Sequence, residues 1–144
     1  MISYDNSIVI NAPVGEVFTY VNELSTMPDW LTGLIEVRNV IGTGEGQQYE
    51  WTFKLAGVQL RGQAVVVECI ENDRCAHQSI GMFKSDWTHI VQPYEDGTKL
   101  IMEVEYSLPL LVLGKLGERL TVRRMERDLD SSLLNIKEAL ESRN

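Results

Sequence analysis

One long segment of the chain, near its C-terminal end, has a clear helical pattern of apolar and polar residues. Apolar residues recur there every three or four positions, and charged residues lie between them. This spacing places the apolar side chains on one face of an α-helix and the charged ones on the opposite, water-facing side. A helix that begins at about Glu118 would be roughly 39 Å long at ~1.5 Å per residue, so it needs a broad apolar partner surface. The residues of this stripe are Val122, Met125, Leu129, Leu133, Ile136 and Leu140.

A shorter apolar series precedes this helix. Leu113, Leu116 and Leu120 are also three and four residues apart. On one continuous helix with ~100° per residue they would point nearly opposite to the main stripe. Two glycines in this stretch allow the chain to bend. Two interpretations therefore remain open: a loop whose leucines pack on the edge of a sheet, or an apolar flap, Leu108–Leu120, over the mouth of a cavity.

The N-terminal part of the chain predicts one strand and two short helices. Ile2–Asn11 alternates between two faces, as a strand does. Asn11 could cap the helix that follows, and Pro13 suits its first turn. A short amphipathic helix is expected next, and Ser25–Leu31 is expected to form a second short helix or turn.

From Leu34 onward the period changes from 3.6 to two, which is typical of strands. The alternation is clearest where aromatic residues alternate with polar ones between Gln47 and Leu55. Turn residues separate the successive segments, so the pattern predicts an antiparallel meander with one apolar face. The predicted strands are Leu34–Ile41, Gln47–Leu55, Val58–Ile70, Arg74–Ile80, Phe83–Gln92 and Lys99–Leu108.

This order of elements predicts an α+β fold. One strand, two short helices, six strands and one long helix give a seven-stranded antiparallel sheet, and the helix covers its apolar face. The length of 144 residues suits one domain over residues 1–144 with a real core.

Composition and charge exclude some classes of function. The chain is 44% hydrophobic and carries a net charge of −8. This charge argues against a nucleic-acid partner, which requires a basic face, and weakly against anionic membranes. No leader sequence opens the chain and no apolar run approaches ~20 residues, so we expect a cytoplasmic protein without stable membrane insertion.

The predicted C-terminal helix holds a local group of basic residues. Arg119, Arg123, Arg124 and Arg127 lie among acidic neighbours, and Arg124 is spaced to attract Asp128. The interleaved acids indicate a solvated helix face. A basic docking patch is the alternative interpretation.

The side of the strands that should face the helix carries large residues. They can simply fill the core, as aromatic residues usually do. Alternatively, a strongly curved sheet and one helix cannot close everywhere, and the gap becomes an apolar pocket with polar tips at its rim. The residues in question are Tyr49, Trp51, Phe53, Trp87, Met102 and Tyr106.

Residues that could carry chemistry are few. Cys69 and Cys75 are too few for a disulfide framework or a zinc site, and we interpret them as buried or half-buried thiols. His77 and His89 show no metal-ligand spacing, so we expect neither a metal nor a cofactor. The glycine-rich segment 42–46 joins two strands and is read as a turn, not as a phosphate-binding loop.

His89 nevertheless shares an expected inward face with Trp87. A hydrogen-bonded histidine in the core or at a pocket rim is one interpretation. The other is a group that orients or protonates a carbonyl, together with Tyr106 on the last strand.

The chain also resembles a known family. Residues 7–14, Glu16-Val17-Phe18, Tyr20-Val21, Pro28 and Trp30 are similar to the opening of polyketide cyclase/dehydrase-like proteins of the START and birch-pollen-allergen (SRPBCC) superfamily. The features Gly97-Thr98, Tyr106 with Pro109, and residues 132–141 extend the resemblance over nearly the whole chain. It implies a helix-grip fold, a curved antiparallel sheet around the long helix with a hydrophobic cavity between. Members bind lipids, polyketides, quinones or hormones and some are enzymes, with no catalytic set common to the family.

Three hypotheses follow for function. The first is binding of a small hydrophobic ligand, lipid, polyketide or quinone-like, between sheet and helix. The second is a polyketide cyclase or dehydratase that uses His89 and Tyr106, and the third is a protein-interaction module on the exposed helix face. Ligand identity and oligomeric state stay open. The expected ligand-binding residues are Trp30, Tyr49, Trp51, Phe53, Trp87, His89, Met102, Val104, Tyr106, Leu113, Leu116 and Leu120.

Overall fold

The computed structural model describes residues 1–143, apart from the side chains of Leu111 and Lys115. It contains the predicted order of elements, with one additional short helix before the long one. In chain order the elements are β1 (Ile2–Ile10), α1 (Val14–Asn22), a 3-10 turn (Leu24–Thr26), α2 (Met27–Trp30), β2 (Leu34–Ile41), β3 (Gln48–Leu55), β4 (Val58–Ile70), β5 (Arg74–Gly81), β6 (Lys84–Tyr94), β7 (Gly97–Ser107), α3 (Leu110–Leu116) and α4 (Glu118–Glu141).

The seven strands form one curved antiparallel sheet in the order β1-β7-β6-β5-β4-β3-β2. Strands β2 to β7 follow one another as the predicted meander, and β1 closes the other edge by pairing with β7 from Ile2↔Tyr106 to Ile10↔Thr98. Residues directly opposite in an antiparallel pair share a face, so the apolar sets of neighbouring strands add up to one continuous surface. The fold predicted from the sequence is confirmed.

Helix α4 packs against the concave face of this sheet. It is anchored at several points by side chains: Tyr4 donates its hydroxyl to Asp130 (2.6 Å), and Asn135 donates its amide to the Trp30 carbonyl (3.1 Å). The buried stripe begins at Thr121, because Val122 is only half-buried. None of the described helices is both long and apolar enough to span a bilayer. The buried residues of α4 are Thr121, Met125, Leu129, Ser132, Leu133, Ile136 and Leu140.

The leucines before Gly117 lie on a helix and not in a loop. Leu113 and Leu116 belong to the separate helix α3, which ends at Gly117, where a φ of 79° breaks the helical path. The flap over a cavity mouth stays a prediction. Leu113 and Leu116 are half-buried, whereas Leu120 lies on the outer side of α4 with 55% of its surface exposed. Glycine suits this break because a side chain strains the left-handed region of the backbone.

The start of α1 differs from the expectation. The helix begins after Pro13 and no side chain caps it, so the prediction that Asn11 caps it is wrong. Instead, the backbone N–H of Asn11 donates to the carboxylate of Glu141 (2.9 Å), at the far end of α4. This bond connects the two ends of the chain across the sheet edge.

The packing of Trp51 depends on Gly62, which pairs with Trp51 on one side and with Gly81 on the other. A Cβ atom at residue 62 would overlap the Trp51 ring and the Ile80 carbonyl. The indole can therefore lie over β4 only because residue 62 has no side chain. After Gly81 the chain leaves the sheet, so Phe83 lies in a turn and not at the start of β6 as predicted.

Substitution of Gly62 tests this packing. We expect Gly62→Ala to lower the free energy of unfolding by about 1–3 kcal/mol, since the added methyl must displace the Trp51 ring or the Ile80 backbone. Urea unfolding measures the change. Gly114→Ala in α3 is the matched control, because a Cβ there has no atom within 4 Å. It should leave stability unchanged or raise it by up to about 1 kcal/mol. Equal stability of both variants would contradict the role given to Gly62.

Candidate functional site

A cavity of about 40 Å³ lies between the concave face of the sheet and the segment around α2. Strands β3, β5 and β6 provide its floor, and the residues around α2 provide the opposite wall. The cavity is lined by Met27, Leu31, Leu34, Tyr49, Trp51, Phe53, His77, Ser79, Phe83, Ser85, Trp87 and His89.

Aromatic rings form one end of the cavity. Phe83 stacks on Phe53 with ring centroids 6.1 Å apart and nearly parallel planes. Trp51 packs edge-on against the Phe83 ring, with 6.4 Å between the centroids. Tyr106 contacts the Phe83 ring at 5.9 Å. Phe83 is thus the centre of an aromatic cluster, although it is held by a turn and not by a strand.

Two histidines form the other, polar end. His77 Nδ1 is hydrogen-bonded to the Tyr49 hydroxyl (2.8 Å), and its Nε2 faces the Cys75 thiol (3.7 Å). The His77 and His89 rings lie 5.6 Å apart between centroids. His89 Nδ1 faces the side-chain oxygen of Asn22 on α1 at 3.3 Å.

Burial keeps both imidazoles uncharged. Removal from water lowers the pKa of His77 to about 4. Burial, and to a lesser extent the neighbouring His77, lowers the pKa of His89 to about 3. Burial also raises the pKa of the Tyr49 hydroxyl and of the Cys75 thiol. All four groups are therefore neutral near pH 7, and the polar end of the cavity offers hydrogen bonds without charge.

Several buried polar atoms of the concave side have no hydrogen-bond partner within the described part of the chain. They are the indole nitrogens of Trp30 and Trp51, the Nε2 of His89 and the hydroxyl of Tyr106. Such atoms are uncommon in packed interiors because burial without a partner is unfavourable. Two of these four residues, Trp51 and His89, also line the cavity.

The structure brings together five of the residues expected to bind a ligand. Tyr49, Trp51, Phe53, Trp87 and His89 line the cavity. The remaining ones lie elsewhere. Trp30 is buried and packs edge-on against His89 with centroids 5.7 Å apart, without lining the cavity. The others outside the cavity wall are Met102, Val104, Tyr106, Leu113, Leu116 and Leu120.

Sequence reasoning missed several lining residues. Phe83 and Ser85 carried a signal, since both belong to the inward set of the segment that predicts β6. His77 and Ser79 share the inward face of β5, as their pairing with Trp87 and Ser85 shows, but that strand alternates only weakly. Met27 and Leu31 come from a short helix and the residue that follows it, so no periodic pattern marks them, and Leu34 is the first residue of β2.

His89 and Tyr106 do not form a pair. Tyr106 is opposite Ser85 in the β6–β7 register, four residues from His89 along β6. At ~3.3 Å per residue this separates their backbones by roughly 13 Å. Burial also raises the pKa of Tyr106 to about 12, so its hydroxyl keeps its proton. This separation argues against the alternative hypothesis, in which the two groups act together on one substrate atom.

A second depression, of about 580 Å³, is lined by Ser3, Thr88 and acidic side chains. The carboxylates repel one another and do not suit an apolar ligand. Within residues 1–143 as described, no group of three or more His, Cys, Asp or Glu side chains is arranged to hold a metal ion. The acidic residues there are Asp5, Asp86, Glu103 and Glu105.

Solved structures share this fold. The chain is similar to TTHA0849 from Thermus thermophilus, with 20% identity, a TM-score of 0.85 and 99% of both chains covered. It is similar to the Zhui aromatase/cyclase from a Streptomyces species, with 12% identity and a TM-score of 0.80 over 99% of this chain and 94% of that one. It is also similar to Ara h 8.0201, with 12% identity and a TM-score of 0.69 over 98% of both chains. At these identities the likeness establishes the fold alone.

The sequence itself matches a family model over nearly its whole length. No curated protein matches the chain. The family model described as polyketide cyclase / dehydrase and lipid transport matches residues 1–141. The resemblance inferred from the sequence motifs is thereby confirmed, and the chain belongs to the polyketide cyclase/dehydrase and lipid transport family.

Proposed function

We propose that the protein binds a small hydrophobic ligand in the cavity between the sheet and the α2 segment. The observation that carries this proposal is the composition of the wall: aromatic and aliphatic side chains with a few uncharged polar groups at one end. This is the usual make-up of a site for an apolar small molecule. Burial of the ligand at ~25 cal/mol per Å² of apolar surface would supply most of the affinity.

The cavity must enlarge before a ligand can enter. Its volume of about 40 Å³ exceeds the ~15 Å³ that one water molecule needs, but is far below the ~150 Å³ of an engineered cavity that binds benzene. Phe83 is the side chain best placed to make room. Its ring fills the centre of the aromatic cluster, and its backbone belongs to a turn next to Gly81. We therefore propose that Phe83 swings aside when the ligand binds.

The other two hypotheses have less support. An enzyme that uses His89 with Tyr106 would need the two groups at one substrate, and four residues of strand separate them. A completely filled interior would have favoured the protein-interaction module. The interior instead contains a cavity, and some of its buried polar atoms have no partner among the described residues. The family includes cyclases and lipid carriers by its description, which suits ligand binding in either case.

Native mass spectrometry of the purified protein tests the proposal directly. We expect an adduct of a small molecule that organic solvent extracts. Ser79→Leu should reduce the adduct at least severalfold, because Ser79 lines the cavity and is buried, so the larger side chain takes up the space. Gln78→Leu is the matched control, since its side chain is exposed on the opposite face of β5. An adduct that is equally abundant in both variants would place the ligand elsewhere.

Truncation of Phe83 tests its role in closing the cavity. We expect Phe83→Ala to bind the neutral dye N-phenyl-1-naphthylamine at least tenfold more tightly than the unmodified protein, measured by fluorescence titration, because the missing ring opens the cavity. The same change should cost about 3–5 kcal/mol of stability, so circular dichroism must first show a folded variant. Met82→Ala, next in the chain but exposed, is the control. Unchanged dye affinity in Phe83→Ala would remove Phe83 from the proposal.

The neutral histidines predict how stability depends on pH. Unfolded histidine has a pKa near 6.5, whereas His77 and His89 have values of about 4 and about 3 in the folded state. The unfolded chain therefore binds more protons below pH 6.5, and stability falls as the pH drops from 6.5 towards 4. We expect a loss of about 3 kcal/mol between pH 7.5 and 5.5 from the two groups together.

Urea unfolding at both pH values measures this loss. The chain has only these two histidines, so the variant with His77→Phe and His89→Phe should lose most of the dependence in that range. If the free energy of unfolding depends on pH equally in the variant and in the unmodified protein, the histidines are solvated in the folded state.

A further inference from the structure

The hydrogen bonds around His89 determine which of its ring nitrogens carries the proton. Asn22 donates its side-chain amide N–H to the Phe18 carbonyl one helical turn earlier (2.9 Å). This bond orients the amide, so the Asn22 oxygen is the atom that faces His89 Nδ1 at 3.3 Å. An oxygen of this kind can only accept, so Nδ1 must donate. In a neutral imidazole the other nitrogen, Nε2, is then an acceptor without a proton.

This acceptor has no donor among the described residues. His89 is 1% exposed, and its Nε2 is buried without a hydrogen-bond partner. Its ring neighbours do not provide one: His77 is engaged with Tyr49 and faces Cys75, and the Trp30 indole N–H is itself unpartnered. Because His89 lines the cavity, a molecule in the cavity can supply the donor, either water or a ligand that displaces it.

The cavity wall also restricts the charge of that molecule. None of the side chains described as lining it is acidic or basic, apart from the two histidines. Both histidines are held neutral by burial. A carboxylate or phosphate would have no cation beside it, and an ammonium group no anion, so a charged ligand would lose its hydration without compensation.

From this geometry we propose that the ligand is an uncharged, flat molecule with a hydroxyl group that donates a hydrogen bond to His89 Nε2. The inference rests on the proposed function, since it requires a ligand in the cavity. The ring of a phenol or enol would pack among the aromatic side chains while its O–H meets the buried acceptor. Ionised fatty acids and phosphate esters are disfavoured, because no cation in the cavity wall would pair with their charge. Asn22 is a positioning residue, because it holds His89 in the tautomer that leaves Nε2 free.

Isothermal titration with 1-naphthol and 1-methylnaphthalene tests the proposal, since the two probes differ only by a hydroxyl in place of a methyl. We expect the unmodified protein to bind 1-naphthol about fivefold to tenfold more tightly, the usual effect of one buried hydrogen bond. His89→Phe should abolish this preference, because it removes the acceptor and keeps a ring of similar shape. Gln78→Leu is the control and should retain it, since the Gln78 side chain is exposed on the opposite face of β5. 1-Naphthoate should bind more weakly than either probe.

The outcomes separate this inference from the proposed function. If no naphthalene probe binds the unmodified protein, the proposed function itself fails. If both uncharged probes bind equally, or if His89→Phe retains the preference, ligand binding stands and the role of His89 is overturned. Should His89→Phe fail to fold, ¹⁵N NMR of the histidine ring in the unmodified protein decides. The Nε2 resonance should show an unprotonated nitrogen and shift with 1-naphthol but not with 1-methylnaphthalene. A protonated Nε2 in the free protein would contradict the proposal.

Discussion

The contact between the Trp51 ring and the bare backbone at Gly62 is the constraint on which the site depends. Gly62 and Gly81 face each other on β4 and β5, and the indole occupies the space that a side chain at residue 62 would need. Gly81 also adopts a φ of 129°, which other residues rarely do, and this directs the chain out of the sheet towards Phe83. Gly62 thus makes room for the Trp51 ring, and Gly81 positions the segment that carries Phe83.

A second constraint is the free-energy cost of burying the polar groups in this interior. Imidazoles in an apolar interior are stable only when they are neutral and hydrogen-bonded, and the structure meets both conditions for His77 through Tyr49 and Cys75. His89 meets them on one side only, through Asn22. An apolar residue at that position would leave no buried nitrogen without a partner. The imbalance at His89 is the observation on which its proposed role in recognition rests.

The sequence predicts the fold well and the site only in part, for a physical reason. Strict alternation shows which residues of β3 face inward, so Tyr49, Trp51 and Phe53 were placed correctly on the cavity side. Alternation cannot show which stretch of that face is covered by α4 and which remains open. Val104 and Tyr106 share the concave side, yet they lie outside the cavity. That distinction depends on where short helices and turns settle in three dimensions, and these segments have no periodic pattern.

In the proposed function, Phe83 accounts for an interior that is packed without a ligand and opens to accept one. In the closed state its ring makes the contacts that a flat ligand would make, with Phe53 stacked at 6.1 Å and Trp51 edge-on at 6.4 Å. Ligand binding is then an exchange of one aromatic ring for another, and the free energy of closing the cavity with Phe83 is subtracted from the affinity. An exchange of this kind favours a ligand that offers more than a ring, because ring contacts alone gain little over Phe83. A hydroxyl that reaches His89 is such an addition, since Phe83 has no donor to place there.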